Sequence, residues 1–144
     1  MLVKLETAFT MDTSSIKFGK GVTKEIGSDF KNMGVKRLMI CTDNRVAKLS
    51  TMEVVEASLK EVRLEYEIYS GVSVEPTDVS FLEAIDFAKK GEFDGYLGVG
   101  GGSSMDTVKA ANLYATYPPE DFLDYVNPPI GKGKPVPGPI NPMI

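Results

Sequence analysis

Three consecutive glycines, Gly100, Gly101 and Gly102, stand between a short apolar run, Tyr96 to Val99, and a helical pattern that starts near Ser103 or Ser104. A strand, a tight glycine turn and a helix in that order constrain the fold more than any other stretch of the chain. Glycine lets the backbone turn sharply and approach a ligand with no Cβ in the way. The following helix aims its positive dipole end and its free amides at the same spot. A phosphate or pyrophosphate suits both features. The competing reading is a plain turn in which Ser103 caps the helix and Asp106 completes a capping box. Three glycines exceed what a cap requires. The chain contains no Gly-x-x-x-x-Gly-Lys-Ser/Thr run, which argues against a P-loop NTPase.

The flanking patterns say where such a loop sits. Val22, Ile26, Phe30 and Met33 recur at helical spacing, and Gly34 follows as a stop. Val35 to Cys41 is a compact apolar run that predicts a buried strand. Ser50 and Glu53 have capping-box spacing, ahead of a helical stripe of Met52, Val55, Leu59 and Val62. Leu64 to Ile68 alternates as a half-exposed strand should. After Glu75-Pro76-Thr77, a helix is predicted with Phe81, Leu82, Ile85 and Ala88 facing inward and Gly91 at its end. The last helical pattern places Met105, Val108, Ala111 and Ala115 on one side and stops at Pro118-Pro119.

Strands alternating with helices imply crossover connections. The expected fold is α/β: a Rossmann-like three-layer domain with a mostly parallel sheet and helices on both faces. An N-terminal β-hairpin turning near Met11 to Ser14 is expected at its edge. Ligands of such sheets bind beyond the carboxyl ends of the strands, where the glycine loop lies. Thr42-Asp43 ends another strand at that same edge. A carboxylate there accepts hydrogen bonds from an adenosine ribose and repels a 2′-phosphate; the alternative is an N-cap for the next helix. Asp106, one turn into the glycine-loop helix, reads either as a cap or as facing the cofactor.

Composition narrows the partners. At 144 residues the chain fits one domain with a sizeable core. A net charge of -4 supplies no basic field for nucleic acid or an anionic membrane, so neither is an expected partner. The run Gly131-Lys132-Gly133-Lys134 reads as a solvated loop. No segment approaches the roughly 20 apolar residues of a membrane helix. Cys41 is the one cysteine and sits in an apolar run, which favours packing over catalysis and suits a reducing compartment. Without an apolar N-terminal stretch for a signal peptide, the expected location is cytoplasmic. There is no histidine, so the commonest general base and transition-metal ligand are missing. Neither a catalytic nor a metal-binding residue is expected in this chain.

Residues 127–142 hold six of the nine prolines, which suit neither a helix interior nor a central strand. The expected division is an α/β domain over residues 1–126 and a Pro-rich extended segment over 127–144. Its abrupt apolar end reads as a connection cut before a further domain.

The run Gly100-Gly-Gly-Ser-Ser-Met-Asp-Thr107, followed by Lys109, resembles the signature of iron-containing alcohol dehydrogenases. Ile16 to Gly21, Thr42-Asp43 and Glu75-Pro76-Thr77 are similar to that family's opening strand, first βα junction and Pro-Thr turn. Ala111 to Tyr114, Asp121 to Tyr125 and Pro129 to Pro135 resemble its hydroxyacid–oxoacid transhydrogenase branch. The resemblance implies an NAD(P)-binding domain. It makes Gly100 to Ser104 cofactor-binding, with Gly100 and Ser104 flanking the pyrophosphate held on the amides of Gly101, Gly102 and Ser103, and it places Asp43 near the adenosine ribose and Asp106 towards the nicotinamide. NAD is thereby favoured over NADP. Glu75 stands where many members carry Asn. The family's Fe2+ is held by Asp and His residues of a helical domain, so this chain is expected to bind no iron and to have no dehydrogenase activity alone. Apolar surface that such a domain would cover implies self-association. A stand-alone nucleotide-binding or interaction module acting with a separate chain is the other expectation.

Overall fold

The computed structural model describes residues 14–144. Three parallel strands, β1 (Arg37–Thr42), β2 (Glu65–Tyr69) and β3 (Gly95–Val99), form one sheet in the order β2-β1-β3. Four helices accompany them: α1 (Ile26–Asn32), α2 (Ser50–Glu61), α3 (Asp78–Gly91) and α4 (Gly102–Thr116). β1 is central, with Arg37 opposite Glu65 on one side and Thr42 opposite Val99 on the other. The α/β, three-layer expectation holds.

Side chains of β1 alternate between two cores because successive residues of a strand point to opposite faces. Leu38 and Ile40 pack with Phe30 of α1 and with Met52, Val55 and Leu59 of α2. Met39 and Cys41 pack with Ala84 and Ala88 of α3 and with Val108 and Ala111 of α4. Complete burial of each large apolar side chain stabilises by about 1.5–3 kcal/mol, so β1 is the seam that joins both layers. Cys41 is fully buried there, and burial pushes its thiol up to about 12. It is packing, as its apolar neighbours imply.

Several local expectations differ from the structure. Ser50 does not cap α2; Leu49 occupies the cap position and no side chain bonds the free amides. Leu82 and Met105 lie on exposed faces, while Ala84 and Ser104 take the inward positions. Small residues at those points let α3 and α4 approach the sheet closely, and hydropathy alone ranks them behind Leu and Met. The turn near Met11 to Ser14 lies outside the described residues but for Ser14. Ile16 and Phe18 form no strand pairing among the described residues and are 86% and 97% exposed. Glu75 has a left-handed backbone, φ 56, which Asn tolerates better than Glu.

The C-terminal stretch is tied down at several points although most of residues 127–140 stay exposed. A short 3-10 turn, Phe122–Asp124, buries Asp124 to 2% exposure. Lys132 and Lys134 each place an ammonium on its carboxylate, at 2.8 and 3.0 Å. The lysine-glycine run therefore folds back onto a buried charge. Its pairing is invisible to a reading of local charge because the partner precedes it by eight residues. Residues 142–144 then run beside β3: Tyr96 donates its amide to the Pro142 carbonyl at 2.9 Å, and Gly98 donates to that of Ile144 at 2.9 Å. These residues add a short parallel edge to the sheet, bridged at Tyr96 and Met143.

Candidate functional site

β1 and β3 both end at the carboxyl edge of the sheet, and Thr42 fastens the two ends together. Its buried hydroxyl donates to the Val99 carbonyl at 2.7 Å. This brings the turn after β1, with Asp43, against the turn after β3, with Gly100.

Each glycine of the loop has a different reason to be there. Gly100 has φ 149, and a Cβ on it would lie 2.4 Å from Ser104 Oγ and 3.9 Å from Asp43 Oδ2. The buried Ser104 hydroxyl thus leaves no space for a side chain at position 100. Gly101 and Gly102 are the opposite case: among the described residues, a Cβ on either would meet nothing within 4 Å. The protein itself does not require glycine at these two exposed positions. Bare backbone there leaves room for a group from outside.

α4 starts at Gly102, with Gly101 extended as its N-cap and no side chain bonding its first amides. The capping box of Ser103 and Asp106 is therefore absent. The Gly101 carbonyl accepts from the amides of Ser104 and Met105, both at 3.1 Å. Among the described residues, no protein acceptor meets the amides of Gly101, Gly102 and Ser103. These three donors project from the positive end of a 15-residue helix. An anion could take all of them.

Asp43 serves two ends at once. Its Oδ1 accepts from the amides of Arg45 and Val46, at 2.7 and 2.9 Å, so it does cap the turn that follows β1. The Val46 amide foremost, then that of Arg45, holds its carboxyl below the ordinary range. The group is anionic at neutral pH. Oδ2 makes no protein hydrogen bond among the described residues and lies on the Gly100 side. The two sequence alternatives for Asp43 are thus compatible, one for each oxygen. Beyond it a shallow cavity of about 240 Å³ is lined by Asp43, Asn44 and Arg45 and walled by Val72 and Val74. Val72 is held there by its amide, which donates to the Thr42 carbonyl at 3.3 Å.

Of the residues singled out in the sequence, Asp43, Gly100 and Ser104 converge, and Gly101, Gly102 and Ser103 present open amides beside them. Asp106 lies one turn into α4, on its exposed side. Thr42 was missed. Its signal was a hydroxyl residue ending an otherwise apolar strand. Among the described residues no three His, Cys, Asp or Glu side chains come together as a metal site would need. No helix among them is long and apolar enough to cross a membrane.

Comparison with known proteins gives the family. Residues 13–144 match the family model for iron-containing alcohol dehydrogenase. The mitochondrial hydroxyacid-oxoacid transhydrogenases of Mus musculus and Homo sapiens are 55% and 56% identical over 137 residues. Each alignment covers 95% of this chain, which spans only about 30% of those relatives' length. Among solved structures, NADH-dependent butanol dehydrogenase A of Thermotoga maritima superposes with a TM-score of 0.84. It is 29% identical over 96% of this chain and 33% of its own. An alcohol dehydrogenase from Oenococcus oeni is 34% identical, covers 71% of this chain and 27% of its own, and gives a TM-score of 0.66.

The expected cytoplasmic location is corrected by these relatives, whose names place them in mitochondria. A lone buried cysteine fits any reducing compartment and does not separate the cytosol from the mitochondrial interior. Family membership implies NAD(P) and iron as cofactors in general terms. With residues 13–144 matched to its model, the chain belongs to the iron-containing alcohol dehydrogenase family.

Proposed function

We propose that this chain binds NAD for hydride transfer between the nicotinamide and a hydroxyacid or alcohol carbon. The observation that carries the reading is the convergence of three open backbone amides with the Asp43 carboxylate at one edge of the sheet. The pyrophosphate sits on the amides of Gly101, Gly102 and Ser103. The adenosine ribose donates its hydroxyls to Asp43 Oδ2. The purine then lies against Val72 and Val74, in the shallow cavity beyond Asp43. A 2′-phosphate would meet the same carboxylate, and that like-charge contact favours NAD over NADP. Asp106 takes the nicotinamide side.

Hydroxyacids and oxoacids are the substrate class favoured by likeness to the relatives at 55% identity, which carry that chemistry in their names. Iron, when bound, polarises the oxygen of the carbon that gives or receives hydride. The residues described do not fit that ion: the sequence has no histidine, and no ligand group assembles. No step through iron is therefore assigned to a residue of this chain. Its own part is to bind and orient the cofactor.

Thermal melting with NAD, ADP-ribose and NADP tests the reading, since a ligand of the native state raises the melting temperature. NAD and ADP-ribose should raise it alike, NADP less. A clear melt that none of the three shifts at about 10 mM would refute it.

A further inference from the structure

Asn112 is fully buried on α4, about 15 Å along the helix from Gly102. An amide in such a place costs stability unless all its polar atoms are paired. A leucine would fill the space without that requirement. Asn112 is paired, and its partners are specific. Its Oδ1 accepts from the Asn141 backbone amide at 3.2 Å, and its Nδ2 donates to the Asn141 carbonyl at 2.8 Å. Thr116 Oγ1 donates to the same Oδ1 at 3.2 Å and accepts from Asn141 Nδ2 at 3.1 Å. The ring of bonds closes on itself.

Two of those bonds grip main chain, so the Asn112 side chain acts on position 141 as a neighbouring strand would. The next residue is Pro142, which has no amide, so Asn141 carries the last N–H before the β3 edge. Immediately beyond, Tyr96 donates to Pro142, Ile144 donates to Tyr96 at 3.1 Å, and Gly98 donates to Ile144. A slip of one residue would exchange the faces of Met143 and Ile144. Met143 packs on the core formed by Met39, Val108 and their neighbours. The gripped position therefore sets which residue stands beside Gly98, two residues ahead of the glycine loop.

We infer that Asn112 is a positioning residue: its amide fixes the register of residues 142–144 along β3 and so holds the end of β3 that carries the nucleotide-binding loop. The inference rests on the nucleotide-binding reading for its functional half. Its structural half stands alone.

The test uses the 144-residue chain with Asn112→Leu and Asn141→Ala, followed by amide exchange and by ADP-ribose titration. Asn141→Ala keeps both main-chain bonds to Asn112, so protection and affinity should match the parent. Asn112→Leu should speed exchange at Gly98 and Ile144 by about tenfold or more while the amides of Val55 and Leu59 keep theirs. Its ADP-ribose affinity should fall in parallel. Asn112→Ala gives the same comparison if the leucine variant does not fold. Unchanged protection at Gly98 and Ile144, or equal loss in Asn141→Ala, overturns the register claim. Lost protection with unchanged ADP-ribose affinity overturns the link to the loop. If the parent chain itself takes up no ADP-ribose, the nucleotide reading fails and the functional half with it, while exchange still decides the register.

Discussion

The two ends of α4 are built on opposite terms. At its N-terminus the amides of Gly101, Gly102 and Ser103 have no partner among the described residues, which also leave the space over two glycines open. Around its C-terminal half almost every polar side chain is engaged by the stretch that follows. The Tyr114 hydroxyl donates to the Phe122 carbonyl at 2.7 Å, the Tyr117 hydroxyl to that of Pro139 at 2.8 Å, and Asn112 and Thr116 grip Asn141. Amides at an exposed helix end bond to water when no ligand is present, whereas a hydrogen bond within the protein adds about 1 kcal/mol. The helix is thus anchored at one end and leaves its donors open at the other.

Substitutions at the two ends should separate binding from stability. Gly100→Ala has the largest effect at the open end. Its methyl would sit 2.4 Å from Ser104 Oγ in a backbone conformation that alanine resists. The cost is about 1–3 kcal/mol of stability, with ADP-ribose affinity reduced at least tenfold in a calorimetric titration. Asp124→Asn at the anchored end should do the reverse. The ammonium groups of Lys132 and Lys134 lose a charged partner, the melting temperature at pH 7 falls by several degrees, and ADP-ribose affinity stays close to that of the parent.

The same carboxylate gives a pH signature. Hydrogen bonds from Lys132, then Lys134, hold its carboxyl at about 2, below its ordinary 3.8. A group depressed in the folded state contributes fully above its ordinary value and loses that contribution as pH falls through the folded one. The gap in melting temperature between parent and Asp124→Asn should therefore persist down to about pH 4 and close towards pH 2.

Asp43→Asn comes next in size. Asparagine caps a turn about as well as aspartate, so stability should hold while the charge on the ribose side disappears. Preference for NAD over NADP should narrow by about tenfold, equivalent to 1.4 kcal/mol. Ser103→Ala is the smallest. Its side chain caps nothing and the loop binds through backbone, so stability should stay within about 0.5 kcal/mol and ADP-ribose affinity should be nearly that of the parent.

The layered fold was legible because β1 alternates between two apolar cores and each helix shows its stripe. The loop's position was legible because three glycines fall between an apolar run and a helical stripe. Less visible were features made by residues distant in sequence. Ser104 explains Gly100, Thr42 ties β1 to β3, and Asp124 explains Lys132 and Lys134, yet none of these pairings has a periodic signal. The edge at 142–144 was obscured for a similar reason. Proline argues against a central strand, but Pro142 opens an edge where its missing amide costs nothing.

The central claim is that the bare amides of Gly101, Gly102 and Ser103 hold a pyrophosphate. Its most direct test is the backbone ¹H–¹⁵N spectrum of the chain during titration with ADP-ribose. The account predicts that these three amides shift most, saturably, with Asp43 and its neighbours following and with Asn141 to Ile144 little changed. Shifts confined to other surfaces, or none in a folded sample, would contradict it.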